Sequence, residues 1–202
     1  REHAIELFGR VKLPRPDQIF DKYPHEFSGG MRQRVMIAAA LVCRPELVIA
    51  DEPTTALDVT IQAQILAILQ ELQEEMGLAL LFISHNLEVV AQLCDRVVVM
   101  YGAQVLEQGQ SERLFQAPAH PYTHGLLRSI PRRGSPLNAI TGNIFDLRHP
   151  PAGCRFHPRC PVSQDRCSSE EPVSRTVALG GEQREVRCHF PMVEAPSLPG
   201  GS

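Results

Sequence analysis

The sequence LVIADEPTTALD, at Leu47–Asp58, carries the clearest fold signal in the chain. Four apolar residues run directly into two adjacent carboxylates, Asp51 and Glu52. A short continuous apolar run predicts a strand that is buried on both faces, as in a parallel sheet. Pro53 ends the strand, because proline has no N–H to donate to the ladder. The two carboxylates are therefore predicted at the carboxyl end of a buried strand, where open α/β sheets bind their ligands.

The segment upstream of this strand reads FSGGMRQR, at Phe27–Arg34. Ser28 is a good helix N-cap, and the two glycines after it permit a close approach of the backbone. The apolar run from Val35 to Cys43 predicts a buried helix. A glycine-rich turn at a helix N-terminus suits a phosphate, although a capped core helix explains the same residues.

The segments downstream alternate between strand and helix patterns. Asp58 is predicted to cap an amphipathic helix that ends at Gly77. The predicted helices are 1–9, 59–76, 86–93, 111–116 and 124–129, and the predicted strands after the first are 78–83, 96–101 and 104–107. The order strand, helix, strand, helix, strand predicts an α/β fold with a parallel sheet.

Composition limits the function classes. A hydrophobic fraction of 43% and a charged fraction of 21% are typical of a globular protein. The net charge of −3 gives no bulk electrostatic argument for nucleic acid. No apolar run approaches the ~20 residues of a membrane span, and no signal peptide is recognisable. We therefore expect contact with a membrane only through a partner.

The character of the sequence changes near residue 130. From Pro131 onward proline becomes frequent, long apolar runs cease and cysteines cluster. We predict a domain at 1–130, a Cys-rich extension at 131–190 and a flexible tail at 191–202. Two cysteines of the first domain, Cys43 and Cys94, are predicted to be small core residues.

Three features follow one another in a fixed order. They are SGGMRQR at Ser28–Arg34, VIADEPTTALD at Val48–Asp58, and a predicted strand that ends in Ser84-His85. Together they resemble the nucleotide-binding subunit of ABC transporters, where they are the signature motif, Walker B with the D-loop, and the switch histidine. The resemblance covers residues 1–129. It implies the C-terminal part of a P-loop ABC ATPase, a parallel sheet flanked by helices, plus a small irregular Cys-rich extension.

The resemblance implies a role for each motif. Asp51 would hold Mg²⁺, directly or through water, and Glu52 would act as the base in ATP hydrolysis. His85 would contact the γ-phosphate, and Asp58 would join two subunits across the shared nucleotide. The signature residues would contact the ATP bound to the opposite subunit; they are Ser28, Gly29, Gly30 and Gln33.

The sequence departs from the family at the phosphate loop, GxxxxGK[ST], which holds the nucleotide. The chain has two lysines, Lys12 and Lys22, and neither is followed by serine or threonine. The loop would therefore lie upstream of Arg1. These 202 residues alone are predicted neither to bind ATP tightly nor to hydrolyse it.

Two local sequences, FSGGMRQR and HPYT at His120–Thr123, resemble the peptide and nickel importer branch of the family. The resemblance implies an ATPase subunit that powers import of dipeptides or oligopeptides, with nickel or another small solute as the alternative cargo. Its partners would be a second ATPase subunit, identical or homologous, two transmembrane permease subunits and, indirectly, an extracytoplasmic substrate-binding protein. It would act as a peripheral subunit at the cytoplasmic face of the bacterial inner membrane.

Four cysteines in the extension have the spacing C-x5-C-x6-C-x20-C; they are Cys154, Cys160, Cys167 and Cys188. Disulfides do not suit a reducing compartment, whereas a zinc site and a [4Fe–4S] cluster both use four thiolates. Peptide-importer ATPases resemble this chain here too, which implies a [4Fe–4S] cluster, with Zn²⁺ as the alternative. Seven arginines between residues 128 and 166 would balance its charge. His157 and His189 are candidate substitute ligands.

Two alternatives come from other functional classes. DNA-repair and chromosome ATPases share the signature and Walker B motifs, but they carry long coiled coils, and no heptad run occurs here. We therefore predict no nucleic-acid partner. A metal-cluster module with a non-functional ATPase remnant is the second alternative. The presence of both Glu52 and His85 argues against such degeneration.

Overall fold

The computed structural model describes residues 1–131, 139–179 and 181–192. The chain divides into two compact units, the first covering Arg1–Val89 and the second beginning at Val90. The predicted flexible tail lies outside the described residues from position 193 onward. The predicted domain boundary near residue 130 stays a prediction.

The first unit contains a pair of parallel strands and four helices. Its elements are α1 (Glu2–Arg10), α2 (Pro16–Ile19), α3 (Gly29–Leu41), β1 (Leu47–Asp51), α4 (Val59–Met76) and β2 (Ala79–Ile83). A further helix, α5 (Leu87–Leu93), spans the division between the units. Strands β1 and β2 pair in parallel, with Asp51 opposite Ile83. The parallel arrangement predicted for these two strands is confirmed.

Helix α4 is the centre of this unit's core, and its bounds are those predicted. Asp58 Oδ1 accepts a hydrogen bond from the N–H of Ile61 at 2.9 Å, which caps the first turn. Gly77 ends the helix in the left-handed conformation, with φ of 62°. The apolar stripe is buried against α1, α3 and the strands; its fully or nearly fully buried members are Ile65, Ile68, Leu69 and Leu72.

The prediction that β1 is buried on both faces is wrong for the residues described. Leu47 is 51% exposed and Ile49 is 62% exposed, whereas Val48 and Ala50 face the core. A continuous apolar run does not say which face is covered, because side chains alternate across a strand. The prediction that Cys43 is a core residue is also wrong, because Cys43, just after α3, is exposed. Cys94 is half-buried.

The second unit is built on a four-stranded antiparallel sheet in the order β3-β4-β6-β5. Its strands are β3 (Arg96–Tyr101), β4 (Gln104–Gln110), β5 (Arg175–Leu179) and β6 (Glu182–Val186). The expectation that β3 extends the parallel sheet is wrong, since it pairs with β4 instead. Gly102 and Ala103 both have positive φ, at 56° and 61°, and this two-residue turn folds the chain back as a hairpin.

The Cys-rich extension is mostly irregular from 139 to 174, as predicted, and then forms the β5–β6 hairpin, which was not predicted. In the described part of this unit, three short α-helices accompany the sheet: α6 (Ser111–Gln116), α7 (Pro121–Arg128) and α8 (Asp165–Ser169). Strand β6 also pairs with β4, so Glu107 lies opposite Val186. Across the described ranges, no helix combines the length and the apolar character needed to span a bilayer.

Candidate functional site

The ends of β1 and β2 bring together two residues that are 33 positions apart. Because the strands are parallel and in register, the residues that follow Asp51 and Ile83 emerge at the same edge of the sheet. The N–H of Glu52 donates to the carbonyl of Ile83 at 2.9 Å and extends the ladder by one step. Glu52 and His85 therefore meet at this edge.

Glu52 accepts hydrogen bonds on both carboxylate oxygens. Its Oε1 lies 2.8 Å from His85 Nδ1 and 3.1 Å from the His85 backbone N, and its Oε2 lies 2.8 Å from Thr55 Oγ1. The side-chain bond from His85, followed by the bond from Thr55, holds the pKa of Glu52 below its ordinary value. The carboxylate is thus kept ionised, which is the form that accepts a proton.

The backbone of Glu52 is in the left-handed region, with φ of 47°. A non-glycine residue adopts this conformation at a cost of about 1–2 kcal/mol. The residue is held there by its bond to Ile83 and by the turn in which Thr55 N donates to the Glu52 carbonyl at 3.1 Å. Strained backbone of this kind is concentrated at functional sites.

Asp51 is exposed at the end of β1 and lines a cavity of about 300 Å³ together with Gln33. Most of the other residues around this cavity are apolar, among them Met36 and Leu80. Mg²⁺ in nucleotide sites is held by one or two carboxylates, together with phosphate oxygens and water. A single exposed carboxylate beside Glu52 fits that chemistry.

The signature segment begins α3, and its cap is the one predicted. Ser28 Oγ accepts from the N–H of Met31 at 3.3 Å. A Cβ atom added to Gly30 would lie 2.8 Å from Cγ2 of Ile61, so this glycine lets the start of α3 approach the start of α4. The structure thus places Gly30 next to the turn that Asp58 caps.

The four cysteines of the extension line one small cavity in the second unit. Cys154 and Cys167 are joined by a backbone hydrogen bond of 2.8 Å from N–H to carbonyl. All six cysteines of the chain are unpaired thiols. Burial raises the pKa of Cys154 and Cys160, and it raises the pKa of Cys188 to about 11. These three thiols are therefore protonated at neutral pH unless a metal binds them.

Among the described residues, no group of three or more His, Cys, Asp or Glu side chains is arranged to hold a metal ion. The arginines expected to balance a cluster's charge also have other partners: Arg148 pairs with Asp146, and Arg159 donates to the carbonyls of Ile140 and Thr141. No arginine is among the residues that line the four-cysteine cavity in the described part of the chain.

Three buried polar residues are not predicted by the sequence: Glu107, His120 and Arg184. His120 was noted only as part of HPYT. Its ring lines the cavity, and burial lowers its pKa to about 4. Alternation along β4 gives no signal for Glu107, because Glu107 and the adjacent Leu106 are both buried.

Comparison with known proteins gives the type of protein that this chain resembles. A family model described as "ABC transporter" matches residues 1–55, and one described as "Oligopeptide/dipeptide transporter, C-terminal region" matches residues 106–167. The dipeptide transport ATP-binding protein DppD of Escherichia coli (strain K12) is 48% identical over 198 residues, which is 96% of this chain. The chain is similar to ATP-binding proteins of oligopeptide and dipeptide ABC transporters. The resemblance drawn from the three ordered motifs is confirmed.

Further relatives are similar to this chain over most of its length or over part of it. The oligopeptide transport ATP-binding protein OppD of Escherichia coli (strain K12) is 50% identical over 175 residues, 85% of this chain. The chain spans 60% of the length of DppD and 52% of that of OppD. The solved structure of cbiO1 from Clostridium perfringens, part of the ABC transporter complex cbiONQ, has a TM-score of 0.51 and 33% identity over 57% of this chain and 45% of its own. The predicted α/β fold class is confirmed.

Proposed function

We propose that the full-length protein is the ATP-hydrolysing subunit of an ABC importer for dipeptides or oligopeptides. The observation that carries this proposal is the contact between Glu52 and His85 at the strand ends, next to Asp51. In a non-functional ATPase remnant, no catalytic function would maintain Glu52 as an ionised, hydrogen-bonded carboxylate on a strained backbone. The names of the relatives, dipeptide and oligopeptide transport ATP-binding proteins, support the cargo class.

In the proposed reaction, water attacks the γ-phosphorus of ATP while the bond to the β–γ bridging oxygen breaks. Glu52 takes the proton of that water, and Asp51 is the carboxylate for Mg²⁺, which supplies positive charge to the phosphates when bound. His85 donates its Nδ1–H to Glu52. A hydrogen bond from its Nε2 to the γ-phosphate therefore requires the doubly protonated ring.

The proposed ATP site is shared between two ATPase subunits. The ATP of the opposite subunit would be contacted by the signature residues, which are Ser28, Gly29, Gly30 and Gln33. Asp58 would lie at the interface between the two subunits. ATP would hold the two subunits together, hydrolysis would release them, and two transmembrane permease subunits would receive the movement. An extracytoplasmic binding protein would deliver the cargo. The subunit would lie peripherally at the cytoplasmic face of the bacterial inner membrane.

The test is ATP-dependent uptake of a labelled dipeptide by proteoliposomes that hold the full-length protein with its permease subunits and binding protein. Uptake that is lost with Glu52→Gln supports the proposal. Uptake of nickel instead of peptide favours the alternative cargo.

We also propose that these 202 residues alone are inactive, because neither lysine belongs to a phosphate loop. Appreciable ATP turnover by the isolated chain would overturn this.

A second candidate function concerns the extension: the four cysteines hold a [4Fe–4S] cluster. The observation that favours it is their arrival at one cavity from separate segments, which supplies the four thiolates that such a cluster requires. Zn²⁺ is the alternative occupant. Iron, acid-labile sulfide and zinc are measured in protein purified without oxygen. Cys188→Ser should lose the metal, whereas Cys43→Ser, at an exposed thiol, should keep it.

A further inference from the structure

The first turns of α3 and α4 lie side by side in the first unit. A Cβ atom added to Gly29 would lie 3.6 Å from Cδ2 of Leu57, and one added to Gly30 would lie 2.8 Å from Cγ2 of Ile61. Helix α3 begins with the signature residues, and α4 begins at the Asp58 cap. The two segments that would face the opposite subunit are therefore in contact within one chain.

A hydrogen bond joins the same two helices about one turn further along. Arg34 Nη2 donates to Gln64 Oε1 at 2.7 Å. Arg34 follows Gly30 by four residues, and Gln64 follows Ile61 by three. Residues at these spacings share one face of a helix. The pair therefore continues the line of contact that Gly30 and Ile61 begin.

The other side of the Arg34 side chain is held by the segment after α1. Its Nη1 donates to the carbonyl of Lys12 at 2.7 Å and to that of Val11 at 3.3 Å. The side chain of Val11 is fully buried in the core, so this segment is a firm support. Because the guanidinium is a rigid planar fork, bonds from one nitrogen fix the direction in which the other nitrogen reaches Gln64.

The polar pair supplies a constraint that the apolar contacts lack. Burial of apolar surface between Gly30 and Ile61 is non-directional and tolerates sliding of one helix along the other. A hydrogen bond weakens steeply when its donor and acceptor leave their preferred alignment. The bond between Arg34 and Gln64 therefore determines how far α3 is advanced along α4.

We propose that Arg34, acting through Gln64, is a positioning residue for ATP hydrolysis. It holds the signature turn of α3 level with the turn that Asp58 caps, so that both reach the opposite subunit together. This inference rests on the ATPase function proposed above. The partners of Arg34 lie in α4 and after α1, away from Glu52. Its loss should therefore act on turnover at the shared site, where a displacement of about 1 Å can reduce the rate about 10²-fold.

The test uses the full-length protein with its permease subunits and measures kcat and KM for ATP, with equilibrium ATP binding measured separately. Gln64→Ala removes the acceptor at an exposed helix position, where alanine is a good helix former and the fold is retained. We expect kcat to fall about 10–100-fold while ATP binding is unchanged. Arg34→Lys, which keeps the charge but has no fork, should lower kcat in the same way.

Two further variants separate positioning from a general disturbance of α4. Gln64→Glu keeps an oxygen acceptor for Arg34 and should retain the wild-type kcat. Glu71→Gln breaks the exposed 2.6 Å pair that joins α4 to Lys12, the residue whose carbonyl Arg34 also contacts. It leaves the bond between α3 and α4 in place, so it should also retain the wild-type kcat.

The outcomes distinguish this inference from the proposed function. Wild-type protein that does not hydrolyse ATP overturns both together. Active wild-type protein with a normal kcat in Gln64→Ala overturns the role of Arg34 alone. An equal loss of kcat in Gln64→Glu or Glu71→Gln also overturns it, and so does a parallel loss of ATP binding in Gln64→Ala. A lowered kcat with retained ATP binding in Gln64→Ala and Arg34→Lys, together with normal controls, supports it.

Discussion

Glu107 and Arg184 form an ion pair in which both side chains are fully buried, with Oε1 and Nη1 3.3 Å apart. Arg184 Nη1 also donates to the carbonyl of Ala117 at 2.5 Å. The two carboxylate oxygens of Glu107 also accept hydrogen bonds from the backbone N–H groups of Ala119 and His120. The pair therefore links β4, β6 and the turn that carries His120. A buried pair of this kind is sensitive to the loss of either member.

Replacing Glu107 with alanine should destabilise the protein by about 3–5 kcal/mol, because it removes the nearer carboxylate from the buried Arg184 guanidinium and leaves only Glu182, at 3.7 Å. The free energy of unfolding from urea titration measures this. Glu71→Gln is the control, since it breaks an exposed 2.6 Å pair with Lys12 and should cost about 0–1 kcal/mol. Equal effects of the two variants would contradict the buried role of Glu107.

Glu52→Gln in the full-length protein should retain ATP binding and reduce turnover by about 10²–10⁴-fold, since the amide cannot take a proton from water. Nucleotide binding and single-turnover hydrolysis are measured separately. Glu88→Gln makes the same chemical change at an exposed position of α5 and should leave both unchanged. Normal turnover by Glu52→Gln would show that another group is the base.

Thr55→Val should move the acid limb of the pH–rate profile to higher pH. The hydrogen bond from Thr55 stabilises the ionised form of Glu52 and lowers its pKa. Removing that bond raises the pKa, so the base becomes protonated, and turnover falls, at a higher pH than in the wild type. His85→Ala should shift the limb further, because its bond is the largest cause of the lowered pKa. An acid limb that does not move in either variant would contradict the assignment.

Gly30→Ala should cost about 1–3 kcal/mol of stability, because the added Cβ would lie 2.8 Å from Cγ2 of Ile61. Ile61→Ala removes that atom, so the double variant should be more stable than the sum of the single changes predicts. A double-mutant cycle in urea measures this coupling. ATP turnover that stays lost in the double variant would indicate that Gly30 also approaches the nucleotide, as the resemblance implies; purely additive unfolding energies would exclude the contact.

The features that the sequence predicted well are governed by local chemistry. The bounds of α4 follow from an Asp58 cap, a 3.6-residue apolar stripe and Gly77, all of which act within a few residues. The meeting of Glu52 with His85 followed from motif order and the geometry of parallel strands.

The features that the sequence did not reveal depend on distant partners. Nothing within Arg96–Tyr101 distinguishes a parallel strand from an antiparallel one, and the decisive turn at Gly102 lies outside it. Exposure of Cys43 and Ile49 depends on which elements cover them. Likewise, the burial of Glu107 depends on its partner Arg184, which is 77 residues away in the sequence. Without that partner in view, a charged side chain is ordinarily predicted to lie on the surface.

Because the backbone of Glu52 is left-handed, the stability of the protein depends on which residue occupies position 52. Glycine adopts that conformation without penalty, so Glu52→Gly relieves about 1–2 kcal/mol of backbone strain at the base itself. The same substitution removes the carboxylate that we propose as the base, together with its bonds to His85 and Thr55. Backbone stability and the proposed chemistry therefore compete at one residue.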